Sequence, residues 1–159
     1  MIFAFAYAVG FTAILAVGQS ATAAPDACAL LTSPDAVAIM GGAARAPRVG
    51  AFASNTCAIQ SEAAPEDAYI NITLDTGETL KAQGMAGARQ AYDGLKKGTD
   101  DAEVVAGAGD AAFFSKQNNG LYVLKGAKLT SVLIGPALMQ RERSIAALKK
   151  LASAIAGRM

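Results

Sequence analysis

Histidine is absent from this 159-residue chain. That absence removes Ser-His-Asp and Cys-His catalysis and every imidazole ligand for zinc, copper or haem. Cysteine is limited to Cys28 and Cys57, and without C-x-x-C spacing a dithiol redox centre is not expected. Charge of either sign is scarce, with 14 Lys and Arg against 13 Asp and Glu, a formal balance of +1. Nucleic-acid binders normally carry a basic face, so that class of partner is set aside. Arg141, Arg143, Lys149, Lys150 and Arg158 do gather near the C terminus. Glu142 breaks the run, and on a helix these residues read as a solvated face.

No charge precedes Asp26, and an apolar stretch over residues 2–17 runs into Ala21-Thr22-Ala23. An apolar core followed by small residues in an A-x-A pattern is the mark of a secretory signal. The expected organisation is a signal peptide at 1–23 and one domain at 24–159, periplasmic or secreted. The usual basic start is missing, and the rival reading is a retained anchor. Residues 2–17 fall short of the ~20 apolar positions that a spanning helix needs, so cleavage is favoured and no stable membrane anchor is expected afterwards. No later segment is long and apolar enough to span a bilayer.

Export gives the two cysteines a meaning. Cys28 fits lipid attachment poorly, because Asp26 stands two residues upstream. An even pair in an oxidising compartment is read as a disulfide, tying the N-terminal segment to the first strand. Closing a loop of that span contributes ~3.6 kcal/mol on the chain-entropy account.

Beyond a short helical turn at 26–31, Thr32-Ser33-Pro34-Asp35 is a helix start, with a hydroxyl cap, an early proline and an acid in the first turn. Gly41-Gly42 stops it. Residues 56–61 and 69–74 alternate as strands, pointing Cys57, Ile59, Ile70, Ile72 and Leu74 inward. Residues 76–97 read as one helix with Met85, Ala88, Tyr92 and Leu95 as its buried stripe, weakened by Gly84, Gly87 and Gly94. Three strands follow at 111–116, 121–125 and 128–134, with hairpin turns at Asn118-Asn119-Gly120 and Gly126. An amphipathic helix over 141–157 closes the chain, burying Ile145, Leu148, Ala152 and Ile155. The expected fold class is α+β: two layers, an antiparallel sheet of about five strands, and amphipathic helices on one face.

Gly107-Ala108-Gly109-Asp110-Ala111-Ala112 matches the form of a dinucleotide fingerprint, G-x-G-x-x-A. A strand follows it where the fingerprint needs a helix, so cofactor binding is not expected. The expected loop is structural: at least one of Gly107 and Gly109 takes a positive φ, and the Asp110 carboxylate accepts amides of the same loop. Tyr92-Asp93 with Gly107-Ala108-Gly109-Asp110 also imitates an intramembrane-protease aspartate pair, which requires spanning helices that the domain lacks. Ser115-Lys116 has the residue types of a Ser-Lys dyad but points to opposite faces of a strand. Asp100, Asp101 and Glu103 read as a solvated turn, without a calcium loop. Asn71-Ile72-Thr73 is a sequon in form only. No catalytic residue, cofactor or metal site is therefore expected.

The Asp26-Ala27-Cys28-Ala29-Leu30-Leu31-Thr32 segment, the helix ending at Gly41-Gly42, Cys57 on a strand and the 105–112 loop together resemble a group of small exported bacterial proteins and lipoproteins of unknown function. These are similar in turn to extracellular sensor-like domains of bacterial receptor kinases. The resemblance implies an exported α+β domain with a cysteine bridge and ligand binding between helices and sheet. The functional expectation is a non-catalytic binding or sensor-like module taking a small ligand. The alternative is an interaction protein that binds another envelope protein through open strand edges and an uncovered sheet face.

Overall fold

The computed structural model describes residues 26–49, 55–63 and 66–159. The expected signal peptide at 1–23 lies outside them. A 3₁₀ turn, Ala27–Leu30, leads into α1, Ser33–Met40. At its start Thr32 Oγ1 accepts from the Asp35 amide and the Asp35 carboxylate accepts from the Thr32 amide, a reciprocal cap of the kind that stabilises a helix by ~1 kcal/mol. Then come β1 (Arg48–Val49), β2 (Thr56–Gln60), β3 (Tyr69–Asp75), α2 (Gly77–Ala82) and α3 (Ala88–Lys97). The chain ends with β4 (Glu103–Val104), β5 (Ala111–Ser115), β6 (Gly120–Lys125), β7 (Lys128–Ile134), α4 (Pro136–Met139) and α5 (Glu142–Arg158).

The strands form one antiparallel sheet in the order β1-β2-β3-β7-β6-β5-β4. Two meanders, β1–β3 and β4–β7, meet where β3 pairs with β7, Ile72 opposite Val132. The sheet has seven strands, against the expected five. The two additions, β1 and β4, are two-residue edges whose pairing to β2 and β5 depends on register with longer neighbours. The expected single helix over 76–97 is also two. Gly84 turns to φ +79° after α2, and α3 begins only at Ala88. Leu95, expected in the buried stripe, is 40% exposed, because Ala88, Ala91 and Tyr92 alone face the sheet.

Both faces of the sheet carry apolar cores, which corrects the one-face arrangement. Along β6, Leu121 and Val123 join the core that includes Phe114, Val132, Ile39 of α1 and Leu148 of α5. The alternate residues Tyr122 and Leu124 join Phe113, Leu129, Leu80 of α2 and Tyr92 of α3 in a second core. Successive strand residues point to opposite faces, so α1 and α5 cover one side while α2 and α3 lie on the other. Burying each such leucine or phenylalanine contributes ~1.5–3 kcal/mol, which anchors both layers. Tyr92 meets Phe113 edge-on at 5.3 Å, and Phe113 stacks on Tyr122 at 4.7 Å.

Of the basic residues expected on a solvated face, Arg143 and Lys150 are exposed there, while Arg141, Lys149 and Arg158 act as structural braces. Lys149 reaches Glu103 of β4 at 2.6 Å and sits 4.8 Å from the Phe114 ring. Arg158 donates to the Leu30 carbonyl and the Asp35 carboxylate, and Arg141 donates to the Met40 carbonyl. From the opposite side, Lys125 donates to the Ala156 carbonyl and Lys128 to the Met159 carbonyl, placing cations on the negative end of the helix. Among the described residues no helix is long and apolar enough to cross a membrane.

Candidate functional site

Cys28 and Cys57 are joined by a disulfide, with Cα atoms 5.1 Å apart. Cys28 sits in the 3₁₀ turn, where the Asp26 carboxylate accepts its amide at 2.9 Å. Cys57 is buried on β2, on the α5 side of the sheet. The bridge holds the first described residues against the sheet and presents no reactive thiol.

Gly107 and Gly109 both take positive φ, +75° and +60°. Their loop wraps the sheet edge, and Ser153 Oγ of α5 donates to the Gly107 carbonyl at 2.6 Å. The Asp110 carboxylate does not accept an amide of its own loop. It reaches the β6–β7 hairpin instead, accepting from the Gly126 amide at 2.7 Å, while the Asp110 amide donates to the Leu124 carbonyl at 2.8 Å. The difference is geometric: a loop held this close to β6 brings the carboxylate within reach of a hairpin amide that lacks a ladder partner.

Ser115 is buried on β5, and its hydroxyl donates to Asp101 Oδ1 at 2.6 Å and accepts from the Asn118 amide. The other Asp101 oxygen accepts the amides of Lys116 and Gln117. Asn118 continues the network to Thr99 Oγ1, which donates to the Leu95 carbonyl. Lys116 is on the turn, and its ammonium approaches Glu142 at 3.6 Å. The serine and lysine are thus separated by their partners, and Asp101 fastens the β5–β6 turn to the segment after α3. Hydrogen bonding from Ser115 first, then from the Gln117 amide, holds its carboxyl below the ordinary 3.8. A depressed carboxyl stabilises the fold above the unfolded value, and that stabilisation is lost as pH falls through the folded one. Asp101→Asn is accordingly expected to flatten the acid limb of a melting-temperature profile below the ordinary aspartate range, with wild type falling more steeply. Equal slopes for the two proteins would contradict this role.

The α2–α3 side of the sheet is only partly covered. Tyr122, Phe113, Leu124 and Leu129 are buried beneath the helices. On the β1–β3 half the same side carries a row of Arg48, Ala58, Asn71 and Leu133 in register, flanked by Thr56, Thr73 and Ser131. Arg48 and Asn71 are exposed, and the others are half-buried. Asp75 closes one end of this half-face, accepting from Asn55 Nδ2 at 3.0 Å and from Thr79 Oγ1 at 3.3 Å. Burial raises its carboxyl above 3.8 despite these hydrogen bonds. This half-face has no element of its own to shield it among the described residues, and its residue types give no periodic signal that separates it from an ordinary solvated strand face.

Hollows elsewhere are shallow. One of about 760 Å³ lies beside α3, lined by Gly87, Gly94, Lys97 and Gly126 of the β6–β7 turn. A second of about 400 Å³ adjoins it at Met85 and Leu95. A third of about 230 Å³ lies between α3 and the loop holding Gly107 and Gly109. Among the described residues no group of three acidic or cysteine side chains is arranged to hold a metal ion. Comparison of the chain with family models, with curated proteins and with solved structures finds no match.

Proposed function

We propose that this chain is an exported, non-catalytic binding module that engages a protein of the cell envelope through the uncovered half-face on β1–β3. The observation that carries the reading is the asymmetry of the sheet: α1 and α5 blanket one side, whereas α2 and α3 stop short of Arg48, Ala58, Asn71 and Thr73 on the other. Side chains of mixed polarity on a rigid antiparallel surface suit a partner protein, which needs area and hydrogen bonding more than depth. The open hollows make an enclosed small ligand the weaker reading, since such ligands are usually held in concave sites that bury most of their surface. Ser115 and Asp101 are committed to each other and to backbone amides, which leaves the nearest approach to a nucleophilic pair as part of the scaffold. The apolar stretch before Asp26 and the Cys28–Cys57 bridge support a periplasmic or secreted setting.

The test is a pair of surface variants. Asn71→Arg places a long cation in the middle of the half-face, and Lys150→Glu reverses a charge on the far side of α5. Protein recovered from envelope extracts after reversible cross-linking is expected to carry a stoichiometric partner in wild type and Lys150→Glu, and to lose it in Asn71→Arg at unchanged melting temperature. Retention in both variants would remove the half-face as the binding surface.

A further inference from the structure

The hollow between α3 and the 104–112 segment is small and brings several donors together. Tyr92 lines it; the residue is 2% exposed, and its hydroxyl makes no hydrogen bond among the described residues and is not among the fully buried polar atoms. Burial raises the phenol above its ordinary 10.0, so it remains a proton donor at neutral pH. Lys96, one turn further along α3, lines the same hollow and forms no ion pair among the described residues. Ala108 is also 2% exposed, and its amide donates to no acceptor there. Two acceptors of the lining are engaged: the Gly107 carbonyl takes Ser153 Oγ, and one oxygen of Asp110, the only carboxylate in the lining, takes the Gly126 amide.

Donors without partners among the described residues, the Lys96 ammonium, the Tyr92 hydroxyl and the Ala108 amide, select a ligand that accepts hydrogen bonds. We infer that this hollow binds one compact oxyanion, a carboxylate or a phosphate group, between the Lys96 ammonium, the Tyr92 hydroxyl and the amides of the Gly107–Gly109 turn. Left-handed glycines turn successive amides toward one side of a loop, forming a concavity of the kind that holds anions. At about 230 Å³ it is below the 300–1,000 Å³ usual for a whole small molecule, so it receives a single anionic group and not a nucleotide. The site is remote from the β1–β3 half-face and is independent of the partner proposed there.

Inorganic phosphate and acetate, each titrated against chloride at matched ionic strength, test this by amide shifts in a ¹H–¹⁵N spectrum. The expected result is saturable shifts at Gly107, Ala108 and Gly109 with one of the two anions, and the anion that saturates identifies which oxyanion is preferred. Lys96→Gln should weaken that binding about tenfold, since a charge-assisted hydrogen bond is removed, and Tyr92→Phe should weaken it about fivefold. Tyr92→Phe keeps the ring against Phe113, so the fold provides its own control. Linear shifts for both anions, or equal affinity in all three proteins, would overturn the assignment.

Discussion

Replacing both Cys28 and Cys57 with serine lowers stability by ~2–5 kcal/mol while the far-ultraviolet spectrum of the folded protein is retained. The bridge joins residues 29 positions apart, so its loss returns conformational freedom to a long loop in the unfolded chain. In the folded state it holds a segment whose apolar residues, Ala27, Leu30 and Leu31, are almost fully buried against the α5 side of the sheet. Arg158 braces the same segment through the Leu30 carbonyl, and this contact keeps the segment docked, at lower stability, when the bridge is gone. Alkylation of the protein recovered from its native host, followed by mass spectrometry, is expected to label no thiol until a reductant is added. Two labelled thiols before reduction would contradict the account, as would a serine pair that melts with wild type.

Gly109→Ala is the second large effect, at ~2–5 kcal/mol. A β-carbon there would clash with the Leu124 carbonyl oxygen, an atom fixed in the β6 ladder, and the residue sits at φ +60°. Left-handed backbone strain contributes ~1–2 kcal/mol for a residue with a side chain, and overpacking against an immobile neighbour adds ~1–3 kcal/mol. Gly107→Ala isolates the first contribution, because the nearest atom to its β-carbon is Ser153 Oγ at 4.0 Å. The expected order of melting temperatures is wild type, then Gly107→Ala, then Gly109→Ala. Equal losses at the two glycines would show that contact with Leu124 plays no part.

Much of this architecture is legible in the chain. The alternation of 69–74 and the hairpin signals at Asn119-Gly120 and Gly126 mark β3 and β5–β7 within a residue or two. What escapes is instructive. Arg48–Val49 and Glu103–Val104 are too short to show a period, and each becomes a strand only because a longer neighbour offers it a ladder. The second apolar face did leave a signal: Phe113-Phe114 and Leu121-Tyr122-Val123-Leu124 are continuous apolar runs, and a strand buried on both faces reads that way. The partner of Asp110 was beyond reach, since a loop bending toward its own amides and one bending toward Gly126 share the same residues. The donor surplus around Tyr92 and Lys96 is likewise a property of packing, because it depends on which acceptors the fold has already occupied.

The most direct test of the binding role uses a photo-reactive amino acid placed at Asn71 on the half-face or at Lys150 on α5, with irradiation of intact cells. One discrete adduct, identified as an envelope protein, is expected from position 71 and none from position 150. Adducts of equal yield from both positions, or none from position 71 at wild-type protein levels, would contradict that role.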